Sequence, residues 1–248
     1  MPSRISSFLP ALVLFASGEE TCENYDSREQ TSETTCKGEE SKHFHDYFIR
    51  DNWVDNNENK TLADLWFTLK CDYLYQMPRS IPTKANFRTS IELYNSLADL
   101  TDRLDPDLET FQIKTEVKQS EGKGRGVFAL ESVKKGSVLR TTDSAYFESG
   151  DEYREFILGL EKDFACDVLQ WAYSYRINDV PYVLVDLDNA TMCNDGGLDY
   201  ANMGCLEGKE FDCDLYEYAI RDIKEGDEIL SNYAIMDNEP AWSDLGLL

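Results

Sequence analysis

With 248 residues, 42% of them hydrophobic, the chain can bury a real core and is read as one main domain with an appended segment. Its 48 acidic residues against 24 basic give a formal charge of −24, which argues against direct nucleic-acid binding because phosphate contacts need a basic surface. Two uses of the excess acid stay open: plain solubility, and attraction of a basic protein substrate.

Residues 1–18 carry a single basic side chain, Arg4, then a short apolar run and small residues ahead of Glu19, the pattern of a cleavable secretory leader. A strand or helix packed on the domain is the competing expectation. The run is too short to span a bilayer and no other segment is long enough, so no membrane span is expected. Residues 19–58 are polar and acidic, too poor in apolar side chains to offset chain entropy, and are read as a flexible tether. His43 and His45 lie there without a carboxylate or cysteine at suitable spacing, which favours surface residues over a metal pair. Asn59-Lys60-Thr61 and Asn189-Ala190-Thr191 are glycosylation triplets compatible with secretory passage.

Thr61-Leu62-Ala63-Asp64 has the form of a helix start, and Leu62, Leu65, Trp66, Leu69 and Tyr73 follow at helical spacing as far as Met77-Pro78. A second helix is predicted through Ile91, Tyr94, Leu97, Ala98 and Leu104, stopped by Asp105-Pro106. The two make a helical extension over residues 59–110, its apolar stripes packed on the main domain.

A β-rich region starts near Phe111, where residues 111–117 alternate as an edge strand does. Next comes Ser120-Glu121-Gly122-Lys123-Gly124-Arg125-Gly126-Val127-Phe128-Ala129. Three glycines within five positions permit positive φ and let the backbone approach a ligand closely. No helix pattern follows them and no Gly-Lys-Ser/Thr is present, so neither a dinucleotide motif nor a P-loop fits. The apolar runs on either side of Lys134-Lys135-Gly136 read as a β-hairpin. Residues 153–175 return to helical periodicity, and 181–185 form a buried strand leading to Cys193-Asn194-Asp195-Gly196.

The seven cysteines are Cys22, Cys36, Cys71, Cys166, Cys193, Cys205 and Cys213. With no Cys-x-x-Cys and two histidines in the chain, no metal site is expected. In an oxidising compartment Cys22 with Cys36, or Cys205 with Cys213, could pair, leaving at least one free thiol. The expected location is the secretory pathway if the leader is real, and otherwise the cytoplasm or nucleus.

Three segments in this order resemble the SET domain, the fold of most protein lysine methyltransferases. Gly124-Arg125-Gly126 with Val127-Phe128-Ala129 matches the opening glycine motif, and Cys193-Asn194-Asp195-Gly196 takes the place of the Asn-His-Ser motif. Arg221-Asp222-Ile223 through Gly226-Asp227-Glu228-Ile229 to Tyr233 matches the closing one. The resemblance implies an α+β, β-rich fold of small twisted sheets over residues 111–235, with a threaded C-terminal crossing, a helical insertion and a C-terminal segment, 236–248.

It also implies methyl transfer from S-adenosyl-L-methionine to a lysine of a protein substrate. The backbone of Lys123, Gly124, Arg125 and Gly126 would meet the cofactor's methionine part, and Asn194 and Asp195 its amine and adenine. Tyr233 would orient the lysine amine, while Tyr146 and Tyr182 are looser candidates for the channel wall. Trp242 would either cover the cofactor or anchor the tail to the core. Asp195 and Gly196 depart from the family's usual histidine and serine, which keeps a catalytically inactive module binding a basic partner as the alternative. A free lysine, with a pKa of about 10.4, must lose its proton to react, and burial beside a cation promotes that. Positioning and desolvation then supply most of the catalysis.

Overall fold

The computed structural model describes residues 60–99, 101–209, 213, 215–235 and 239–248. The expected leader, the acidic tether, His43, His45, Cys22, Cys36 and Asn59 lie outside the described residues.

Helix α1 (Leu62–Leu69) opens on a reciprocal cap, in which Thr61 Oγ1 accepts the Asp64 amide at 3.2 Å and Asp64 Oδ2 accepts the Thr61 amide at 2.9 Å. The predicted single helix breaks at Lys70, which turns left-handed at φ 55°, and α2 (Cys71–Tyr75) starts afresh. The stripe explains the break: Leu65 and Leu69 are buried, then Cys71 and Leu74, a step of two residues that one helix cannot keep on a face. Tyr73 accordingly points outward. Helix α3 (Lys84–Leu97) ends short of the predicted Leu104, because the Asn95 side chain folds the following loop back by bonding both the amide and the carbonyl of Leu104 at 2.8 Å.

Strands β1 (Thr115–Ser120) and β2 (Gly124–Ala129) form an antiparallel hairpin that turns through Gly122. Strand β3 (Val138–Thr141) does not pair with β2, so the expected hairpin across Lys134-Lys135-Gly136 is a connection between two sheets. Strand β4 (Ala145–Phe147) precedes α4 (Gly150–Gly159) and α5 (Lys162–Trp171). The predicted helical stretch 153–175 therefore stops at Trp171, and its end belongs to β5 (Tyr173–Ile177), hairpinned with β6 (Val180–Val185). Then follow β7 (Asn194–Asp195), α6 (Gly197–Tyr200), β8 (Met203–Gly204), β9 (Tyr216–Ala219), β10 (Glu228–Ser231) and α7 (Glu239–Asp244).

Three small sheets result, ordered β1-β2-β10-β7, β3-β9-β8 and β4-β6-β5. The architecture is the expected α+β fold of small sheets with a helical insertion. Phe147, Tyr153, Phe156, Ile157, Val183 and Val185 form the core between the third sheet and the helices. Helix α3 joins that core through edge-to-face contacts of Tyr94 with Phe147 and Phe156, and of Phe87 with Phe164.

A buried Cys71–Cys166 disulfide ties α2 to α5 across 95 residues, a pairing with no local sequence signal. Cys205–Cys213 is paired, as one of the two expected options had it, and Cys193 is a buried free thiol. Among the described residues no helix is long and apolar enough to cross a membrane, and no group of three or more His, Cys, Asp or Glu could hold a metal ion.

Candidate active site

The first sheet brings the three singled-out segments together, because β10 of the closing segment lies between β2 of the glycine hairpin and β7 of the Asn194 segment. Gly122 (φ 72°) and Gly124 (φ 78°) hold left-handed turn conformations that side chains disfavour. Gly126 has a different reason to be glycine. A Cβ there would collide with Glu228 Oε1 and crowd Asn194 Nδ2 at 3.0 Å. The vacated space lets the Glu228 carboxylate bridge β1 and β7, accepting from Asn194 Nδ2 at 2.7 Å and from Ser120 Oγ at 3.0 Å.

Asn194 gives its second amide hydrogen to the Arg125 carbonyl at 2.9 Å. Both donors of its amide are thereby engaged, which leaves Oδ1 as an acceptor for an ammonium group. Lys123 Nζ reaches across to the Asp195 carbonyl at 3.0 Å.

Asp195 ties this sheet to the chain beyond β10. Its Oδ1 accepts the Gly197 amide at 2.9 Å and the Tyr233 amide at 3.0 Å. Tyr233 opens a short 3-10 turn, Tyr233–Ile235, and its hydroxyl donates to the Cys193 carbonyl at 2.6 Å. The residue is 47% exposed overall, with the hydroxyl tucked inward. Burial of that hydroxyl, with the Cys193 and Asp195 groups nearby, holds the phenol well above its ordinary range. A neutral phenol whose hydrogen is committed to a carbonyl can still accept an amine N–H through its oxygen lone pairs. Gly196 also has a local cause, since a Cβ there would strike the Ala201 backbone and the Leu230 side chain.

The structure therefore gathers Lys123, the Arg125 backbone, Gly126, Asn194, Asp195 and Tyr233. The Arg125 side chain turns into the interior instead. It makes two bonds to Asp167, at 2.8 and 2.9 Å, gives a third to the Ser80 carbonyl, and lies over the Trp171 ring. Trp242 is buried in the core beside Tyr153. Tyr146 and Tyr182 pack edge-on to each other, and their hydroxyls bond Asp102 and Glu148.

Sequence reasoning passed over Glu228, although it stands inside the closing motif. It also passed over a buried ion cluster beside Cys193. There Arg140 binds Asp186 through two bonds at 2.8 and 2.9 Å and Glu217 at 3.1 Å. Burial alone would raise Asp186, but the Arg140 guanidinium outweighs it and keeps that carboxyl below its usual range. Burial wins at Glu217, which is held above its range.

Residues 124–234 match the family model described as SET domain. No curated protein matches the chain in sequence. Among solved structures, a Plasmodium falciparum protein proposed to be a histone methyltransferase is 23% identical over 49% of this chain and 94% of its own, with a TM-score of 0.32. The SET8 protein of Cryptosporidium is 16% identical over 71% of this chain and 96% of its own, at 0.35. The Chaetomium thermophilum Polycomb Repressive Complex 2 bound to S-adenosylmethionine is 18% identical over 55% of this chain and 17% of its own, at 0.36.

Proposed function

Because residues 124–234 of this chain form a SET domain, we propose that the protein is an S-adenosylmethionine-dependent protein-lysine methyltransferase. The observation that carries the reading is the link from Asn194-Asp195 to Tyr233, through the carboxylate bond to the Tyr233 amide and the hydroxyl bond to Cys193. It ties an acceptor phenol to the segment carrying Asn194, whose amide in turn bonds the glycine strand at the Arg125 carbonyl.

When bound, S-adenosylmethionine supplies an electrophilic methyl group on a sulfonium. The donor set fits such a cation: Asn194 offers Oδ1, Glu228 brings a carboxylate, and the Lys123 ammonium is drawn off to the Asp195 carbonyl. The backbone of Lys123, Gly124, Arg125 and Gly126, with Asn194 and Asp195, would hold it. Tyr233 would orient a deprotonated lysine amine by accepting its N–H. No side chain need act as a strong base, since desolvation disfavours the lysine's charge.

The substrate in this reading is a basic protein, favoured by the formal charge of −24. Maturation along an oxidising secretory route is part of the same proposal, supported by the two disulfides and the leader-like residues 1–18. A catalytically silent SET module is the second reading, favoured by the exposed Asp195 in place of the family's histidine.

The deciding experiment mixes purified protein with methyl-labelled cofactor and a panel of basic proteins. Incorporation by the parent and none by Tyr233→Phe supports the enzyme. Equal background from both, with cofactor still raising the melting temperature, supports the silent module.

A further inference from the structure

The sheet β4-β6-β5 has two faces of different character. Ala145, Phe147, Ser174, Val183 and Val185 share one face and are fully buried against the helices. The opposite face is also apolar, but half of it is bare. The register sets Tyr175 opposite Tyr182 and Ile177 opposite Val180, with Tyr146 on the neighbouring strand. Tyr146, Tyr175, Ile177 and Val180 are each 37–46% exposed. Side chains of this type on one sheet face form the kind of contiguous exposed patch that marks an interaction surface.

The rim of this patch is acidic. Asp102 accepts the Tyr146 hydroxyl at 2.9 Å and Glu148 accepts the Tyr182 hydroxyl at 3.1 Å. Glu152 lies close by, and burial together with Glu148, Asp99 and Glu155 holds its carboxyl above the usual range. Five acids thus stand together; of the two bases next to them in sequence, Arg103 and Arg154, the latter is buried and committed to Asp151 and the Lys60 and Gly246 carbonyls. Such a rim repels phosphate, whether of nucleic acid or of an anionic membrane. Residues 19–58 of the chain are themselves acid-rich, so they match it poorly in charge.

We propose that this face docks a segment of a partner protein in which lysine or arginine alternates with apolar residues. The apolar side chains would cover Ile177 and Val180. The cations would sit over the tyrosine rings and against Asp102 and Glu148. The partner's role as substrate rests on the methyltransferase reading, whereas its chemistry rests on the surface alone.

The test uses the full chain and fluorescence anisotropy with a short labelled peptide alternating Lys or Arg with Leu, and its counterpart with Glu at every basic position. The expected result is binding of the basic peptide alone, weakening as salt is raised. The double variants Tyr175→Ser/Ile177→Ser and Asp102→Asn/Glu148→Gln should each weaken it by at least about ten-fold. Their melting temperatures and their thermal response to S-adenosylmethionine should stay at the parent level, which separates a lost surface from a lost fold.

Equal binding of both peptides, or indifference to both double variants, overturns the proposal. So does displacement of the basic peptide by a synthetic 19–58 segment, or a concentration-dependent dimer abolished by Tyr175→Ser/Ile177→Ser, since each names a different occupant. Docking without methyl transfer defeats the enzymatic reading and keeps this one. Transfer without docking does the reverse.

Discussion

The Oε1 atom of Glu228 occupies the space that a side chain on Gly126 would need. The end of a glutamate can usually swing aside, but this carboxylate is held at both oxygens, by Asn194 and Ser120. Moving it frees the Asn194 amide. Gly126→Ala is therefore expected to cost about 1–3 kcal/mol of stability and to weaken cofactor binding. Urea denaturation and a thermal-shift titration with S-adenosylmethionine check the two effects separately.

Asp195 is where the chain departs from the SET pattern, and its geometry predicts which replacements it tolerates. One carboxylate oxygen accepts two backbone amides, so Asp195→Asn keeps an acceptor there and should alter cofactor affinity by less than about three-fold. Asp195→Ala abandons both amides and lets Tyr233 drift. A loss of about ten-fold is expected, read by calorimetric titration.

Cys71–Cys166 closes a loop of 95 residues and is fully buried. Reduction in the unfolded state followed by refolding, or the pair Cys71→Ser/Cys166→Ser, should lower stability by about 3–5 kcal/mol. The neighbouring Asp167 holds Arg125 of the glycine strand, so the same variant should also lose cofactor-induced stabilisation. Removing the short Cys205–Cys213 loop should leave that response intact.

The buried cluster predicts opposing pH effects. Burial keeps Glu217 protonated in the folded chain after the unfolded chain begins to release that proton near 4.5, so its contribution to stability falls as pH climbs through that value. Asp186 acts in the other direction. Held below its ordinary 3.8, it adds stability above that value that disappears as pH falls through its folded titration. Glu217→Gln should remove the first slope and be no less stable than the parent above neutrality, whereas Asp186→Asn should be markedly less stable there. Urea melts across a pH series distinguish them.

The segments that meet around Asn194 were legible because their residues recur as glycines, an amide and a tyrosine at strand ends. Their neighbours were less so. Lys70 breaks a helix without a glycine or proline to announce it, and Tyr175 looked helical because an apolar residue every third or fourth position also occurs by chance across a helix-to-strand junction. Arg125 carried the right backbone for the site while its side chain was committed to Asp167, a residue 42 positions away that no local pattern points to. Pairings over such distances, Cys71 with Cys166 among them, come from tertiary packing and have no periodicity to read.

The placement of β10 between β2 and β7 also governs when the first sheet can be completed. A ribosome makes the glycine hairpin and Asn194 long before it makes the strand that joins them, so the nascent chain carries two unpaired β-edges until late in synthesis. A stop codon between Asn194 and Glu228 would release a chain with its larger helices and no β10 to join the two edges, and such fragments are expected to aggregate or be degraded.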